Sequence, residues 1–223
     1  MSGIAEIERK GKWLIVRFPE PQRVLSWAVV GGGKRIVETV AWYRVTGDEL
    51  EPPVDAKDFL KGRLKEASLP KALGLLTSVD LDGYADRVKG AEGITARSVA
   101  TVGLSNALRV GDPPRVRRPV GTINILSQVS VPLSKEAFLE ALSIATEART
   151  AVLLESGIQS IETARPATGT GTDCIVIAAP VSGEGAKFAG KHTLIGHLIG
   201  ASVIEAVRAS LENYLAKGTK VNS

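Results

Sequence analysis

The chain has 223 residues, 44% of them hydrophobic and 23% charged, which suits one sizeable core in an ordinary soluble protein. No run approaches the about eighteen apolar residues of a membrane span, and the opening MSGIAEIERKGK lacks the apolar stretch of a secretory leader, so a cytoplasmic protein with no membrane partner is expected. The net charge of +4 is dispersed, only 4% of residues are aromatic, and no zinc-ligand or RNA-binding aromatic pattern occurs, so nucleic acid is not an expected partner.

In chain order, Trp13 to Phe18 reads as a short strand ending at Pro19, and Val24 to Val30 as a second. Gly31, Gly32 and Gly33 then form a hairpin connection into Arg35 to Tyr43. Asp55 caps a helix running to Glu66. Leu73 to Val79 is a strand that ends at Thr77 and Ser78, with Asp80 and Asp82 beyond. Ile94 to Leu104 is a further strand, followed by a basic, proline-containing excursion from Arg109 to Pro119. Thr122 to Val131 resumes as a strand. Pro132, Ser134 and Glu136 open a long alanine-rich helix that Gly157 closes. Cys174 to Ala179 is a strand bounded by Pro180, and the last helix runs from Lys191 or His192 to Ala216. Strict strand–helix alternation is absent, so one α/β domain of the α+β type is expected over residues 1–223. Its mixed or mainly antiparallel sheet would be packed against two long helices.

Three polar clusters stand out. In RPATGTGTDCIVIAAP, Thr168, Thr170 and Thr172 offer hydroxyls and Asp173 a carboxylate at the mouth of a strand. TVGLSNALRVGD brings Ser105, Asn106 and Asp112 together, and AKFAGKHTLIGHLIG brings Lys191, His192 and His197. Gly169 to Thr172 has neither P-loop spacing nor a following helix, and Gly31 to Gly33 lacks the dinucleotide-binding spacing. The two histidines are five residues apart, about 140° around a helix, so they do not chelate. His197 shares a stripe with Ile204 and Leu211 and is expected in the core or at its edge. His192 is expected at a helix start, which favours a neutral imidazole. Asn124 inside a strand needs a polar partner. Cys174, the only cysteine, is expected to be a buried small hydrophobe, and it excludes an intrachain disulfide and a thiolate metal cluster. No nucleophile elbow or metalloprotease motif is present.

Taken together and in this order, VLSWAVVGGG, LLTSVD, TVGLSNALRVGD, GTINI, ATEART, ATGTGTDCIVIAAP and GKHTLIGHLIGASV resemble the adenosylcobinamide amidohydrolase family of corrinoid salvage. The resemblance implies cleavage of the amide between a propionate arm of adenosylcobinamide and aminopropanol, giving adenosylcobyric acid and 1-amino-2-propanol. Cobalt would arrive with the substrate, and no separate cofactor or catalytic metal is expected. Arg115, Arg117 and Arg118 fall in a segment that matches none of these motifs.

On that footing the expected chemistry is attack by water. Asp173 or His192 would take its proton, and Lys191 or Asn106 with backbone donors would hold the oxyanion. A covalent path through Thr170, Thr172 or Ser105 is the alternative. Gly31, Gly32, Gly33, Thr77, Ser78, Asp80, Ser105, Asn124, Thr168, Thr170 and Thr172 are the expected substrate contacts. A non-catalytic corrinoid carrier shares the same composition, and a structural protein whose glycine loops are only turns is a third reading. Carboxylate-only magnesium binding would have to use Asp80, Asp82 and Asp173. The small-surfaced helix faces, Ala137, Ala141, Ala145 and Ala148 on one and Gly196, Gly200 and Ala201 on the other, suit a homodimer.

Overall fold

Pro19 and Pro21 interrupt the first apolar run, yet Trp13–Ser26 forms one long strand, β2. Its pairing with the next strand, β3 (Gly33–Arg44), shifts register between Arg17 and Gln22, and this irregularity accommodates the two prolines. The computed structural model describes residues 5–114 and 121–219, so Arg115, Arg117 and Arg118 lie outside the described residues. Strand β1 (Glu6–Lys10) pairs with the first half of β2, and a later strand takes the second half. The chain leaves β2 at Ser26 and turns through residues 27–32, with positive φ at Gly31 and at Gly33, where β3 starts.

Helix α1 (Ala56–Glu66) starts where Asp55 accepts the Asp58 N–H at 2.9 Å. Strand β4 (Leu73–Thr77) returns parallel to β3, and a short turn at Leu81–Gly83 leads into the hairpin of β5 (Ala85–Ala91) and β6 (Ile94–Val102). A two-residue strand, β7 (Ala107–Leu108), precedes β8 (Ile123–Val129). Helix α2 (Lys135–Glu155) begins at Ser134, whose hydroxyl accepts the Ala137 N–H at 3.0 Å, and ends before Gly157 at φ +69°. Then follow β9 (Gly169–Thr170), β10 (Cys174–Pro180) and α3 (Leu194–Thr219). The last helix starts later than Lys191 because Thr193 caps it, accepting the Gly196 N–H at 3.0 Å on its hydroxyl.

The main sheet has the order β4-β3-β2-β10-β8-β6-β5, with β1 beside β2, and it is mixed: β3–β4 and β8–β10 are parallel and the other pairs antiparallel. Helices α2 and α3 cover one face over a core that includes Ile125, Ile177, Phe138, Leu153, Ile199 and Val207. The alanines at 137, 141, 145 and 148 of α2 are buried in that core, where their small size brings the helix close to the sheet. The other face curls on itself, so that Leu75 of β4 and Leu126 of β8 share a second core with Trp42 and Val176. Each such fully buried leucine is worth about 1.5–3 kcal/mol of transfer free energy. Helix α3 is long and apolar enough in composition to span a membrane, but 56% of its most apolar stretch is buried in the fold, so its hydrophobicity has a packing explanation.

Candidate functional site

Side chains two apart on a strand share a face, and six strands change character at the same end of the curled face. Apolar Trp42, Leu75, Val99, Leu126, Val176 and Val24 belong to the core inside the curl. Two residues from each of them stand Arg44, Thr77, Thr101, Asn124, Cys174 and Ser26. These six are neighbours: Arg44 pairs with Thr77, Thr101 with Asn124, and Asn124 with Cys174 in the strand registers. The Asn124 amide donates across the curl to the Leu76 carbonyl at 2.8 Å, and Ser26 Oγ lies 3.5 Å from Cys174 Sγ. The core thus ends in a buried polar collar. Thr101 Oγ1 and Arg44 Nε in it are buried with no hydrogen-bond partner.

Two loops close over the collar. Asp173, just before β10, accepts from the Arg149 guanidinium, from the Thr170 hydroxyl, from the Thr170 N–H at 2.9 Å and from the Ile123 N–H at 3.0 Å. A Cβ at Gly169 would lie 2.5 Å from the Asp173 carboxylate and 2.6 Å from Arg149, so a side chain there would push the ion pair aside. The Thr122 hydroxyl donates to the Thr172 carbonyl at 2.7 Å, and the Thr172 hydroxyl to the Gly121 carbonyl at 3.0 Å. Thr168 accepts the Val110 N–H at 2.8 Å. The hydroxyls expected to meet substrate therefore stitch loops together.

Asn106 is different. It is buried, its carbonyl accepts the Gly171 N–H at 3.2 Å, and its side-chain oxygen has no partner. A buried acceptor left unsatisfied carries a desolvation cost, and it calls for a partner such as an ordered water, an ion or a ligand. Ser105 beside it is exposed. Trp27, which the sequence did not single out, is 49% exposed at the same end and donates from Nε1 to the Asp173 carbonyl at 2.5 Å.

The four residues expected to carry catalysis do not converge. Lys191 pairs with Glu147 of α2, whereas Asp173 pairs with Arg149 of the same helix. Two residues subtend about 200° on a helix, so the pairs sit on opposite sides of α2. His192 is exposed in the turn before α3, and His197 is exposed rather than in the core. Lys191 and His197 line an open groove of about 410 Å³ between α2 and α3, with Ala148, Ala151, Gly196 and Gly200. Asp80 caps the turn at Leu81–Gly83 and is bound to Lys217 from α3, with Arg44 at 3.6 Å; the Lys217 ammonium is the main cause holding its carboxyl below the usual range. Thr77 and Asn124 belong to the collar, and Ser78 follows Thr77 at its edge. Gly31 to Gly33 form the turn beyond Trp27, where a Cβ at Gly32 would lie 2.7 Å from the Ala28 carbonyl.

Burial pushes the Cys174 thiol up to about 11, against the bonds from Ser26 and the Trp27 N–H, so it is a neutral, inert member of the collar. Burial also lowers the Arg149 guanidinium to about 10, which leaves it charged at neutral pH. A larger concavity of about 610 Å³ lies between β1 to β3 and α1, but Lys12, Arg17 and Arg63 in it are already paired with Glu49, Glu8 and Glu66. The collar end is thus rich in neutral donors and acceptors beside the Arg44 guanidinium, with the Arg149–Asp173 pair beneath it, in which Arg149 Nε has no hydrogen-bond partner.

The family model described as adenosylcobinamide amidohydrolase matches residues 1–219. An adenosylcobinamide amidohydrolase of Methanosarcina mazei is 30% identical over 82% of this chain and 87% of that protein. One from Halobacterium salinarum is 34% identical over 51% of this chain, and that match spans about half, 49%, of the relative. An uncharacterized protein of Methanocaldococcus jannaschii is 27% identical over 94% of this chain and 88% of its own length. Among solved structures, a Pyrococcus horikoshii OT3 protein aligns over 96% of this chain and 83% of that one, with a TM-score of 0.45 and 13% identity, too loose a likeness to carry an argument.

Proposed function

The chain belongs to the adenosylcobinamide amidohydrolase family, and on that premise we propose that it hydrolyses the amide joining aminopropanol to adenosylcobinamide. The products are adenosylcobyric acid and 1-amino-2-propanol. The observation that supports a location for this reaction is the unpartnered, buried Asn106 oxygen beside the exposed Ser105, above a collar of mostly neutral polar groups. An amide-rimmed substrate needs many such neutral partners.

In this reading water attacks the amide at the collar end, and Asn106 with nearby backbone N–H groups meets the reacting amide. Asp173 is a positioning residue, because its oxygens already hold Arg149, Thr170 and the start of β8. Of the three hydroxyls that a covalent route would use, Thr170 and Thr172 donate to Asp173 and Gly121, and Ser105 is an exposed residue. Turnover in heavy-oxygen water separates the routes: one labelled carboxylate oxygen and no protein adduct supports water, whereas an acyl adduct on Ser105 contradicts it.

The same chain assembles, in our reading, as a homodimer through the α2–α3 groove. Small residues line it, Ala148, Ala151, Gly200 and Ala201 among them, and they allow a neighbouring helix to approach closely. Light scattering tests this, and a mass near 23.5 kDa removes the dimer.

A further inference from the structure

Large aromatic side chains are normally buried, and the other tryptophans follow that rule more closely: Trp42 is 0% exposed, and Trp13 is half-buried against Tyr43. Trp27 is 49% exposed, and it sits where the polar collar opens. Its position is fixed by several contacts. Ser26 before it belongs to the collar and accepts the Ala28 N–H on its hydroxyl at 3.1 Å. The indole N–H is committed to the Asp173 carbonyl, one residue from Cys174 of the collar. Gly32 lets the turn close tightly, since a Cβ there would meet the Ala28 carbonyl at 2.7 Å. A flat apolar face is therefore held, already ordered, at the edge of a site otherwise built from polar groups, most of them neutral. Binding to a pre-ordered platform avoids the entropy of fixing a mobile side chain.

We propose that Trp27 stacks on the adenine of the substrate's nucleoside ligand, and so separates adenosyl-corrinoids from corrinoids that carry no nucleoside. The inference rests on the function proposed above. Adenine is neutral, flat and aromatic, and stacking of a base on an aromatic side chain is sequence-tolerant and strong. The indole edge is already bonded to Asp173, so what Trp27 has left to offer a ligand is its ring surface.

The test uses the reaction product, which the enzyme does not consume. Equilibrium dialysis gives Kd for adenosylcobyric acid and for methylcobyric acid with the wild type, Trp27→Ala and Trp27→Phe. The wild type is expected to favour the adenosyl form by roughly tenfold or more. Trp27→Ala should erase that preference, and Trp27→Phe, which keeps a ring but loses the N–H, should retain most of it. If Phe behaves as Ala does and kcat falls with it, the indole acts only by holding Asp173, and the proposal is overturned. Equal weakening of both ligands in Trp27→Ala assigns the contact to the corrin and also overturns it. A wild type that hydrolyses adenosylcobinamide but shows no adenosyl preference defeats this inference alone. A wild type that neither binds nor hydrolyses either corrinoid defeats the function reading with it.

Discussion

Arg149 of α2 and Asp173 before β10 form an ion pair whose side chains are only 11% and 7% exposed. The carboxylate is completed by Thr170 and Ile123, so one buried acid ties a helix, a loop and the start of β8 together. Removing one partner of a buried pair leaves the other charge uncompensated, at a cost of about 3–5 kcal/mol.

Asp173→Asn and Arg149→Met should therefore each lower the thermal midpoint by many degrees, and the double variant should recover part of the loss. Thermal unfolding followed by circular dichroism checks this. A folded Asp173→Asn with an unchanged midpoint and a collapsed kcat would return Asp173 to the chemistry.

Asn106→Ala removes an acceptor that has no partner, so no internal hydrogen bond of that oxygen is lost. Stability should change by about 1 kcal/mol or less, while kcat/KM for adenosylcobinamide falls at least roughly tenfold. Steady-state kinetics beside a denaturant titration decide it. Unchanged kinetics would remove Asn106 from the site.

His197, exposed on α3, should tolerate replacement by alanine within about 0.5 kcal/mol, as surface positions do. The helical stripe it shares with Leu211 suggested a packed residue worth more. His192→Ala should likewise leave turnover and its pH profile intact, because His192 lies in the turn before α3 with Lys191, whose pair with Glu147 faces away from Asp173. Loss of the acid limb of the pH–rate profile in that variant would restore His192 as the base.

Cys174, with its thiol pushed up to about 11 by burial, should resist iodoacetamide at neutral pH in the folded protein and react on unfolding. Mass spectrometry reads this directly. Stoichiometric labelling of the native protein would contradict a closed collar.

The helices were the most legible part of the fold, because their punctuation is local. Asp55, Ser134 and Gly157 mark ends that the structure keeps. Strands β1 and β5 were not legible: EIERK and ADRVKGA are largely polar, and pairing with β2 and β6 rather than hydrophobic pattern makes them strands. The site was half legible. Asn106, Asn124, Thr77 and Asp173 were marked by their residue types, and the structure brings them to one end. That Arg149 would saturate Asp173, and that Lys191 would fall on the far side of α2, depend on how α2 packs against β10. Motif spacing carries no information on that. The collar itself exists only through the registers of six strands and the curl that joins Asn124 to Leu76.

The most direct measurement is incubation of the purified protein with adenosylcobinamide, followed by mass spectrometry of the corrinoid and of the released amine. Adenosylcobinamide phosphate and complete cobalamin run alongside define the tolerated arm. The account predicts stoichiometric adenosylcobyric acid and 1-amino-2-propanol, with turnover unchanged after dialysis against a strong chelator. Tight binding of adenosylcobinamide with no released amine would contradict it and identify a carrier in place of a hydrolase.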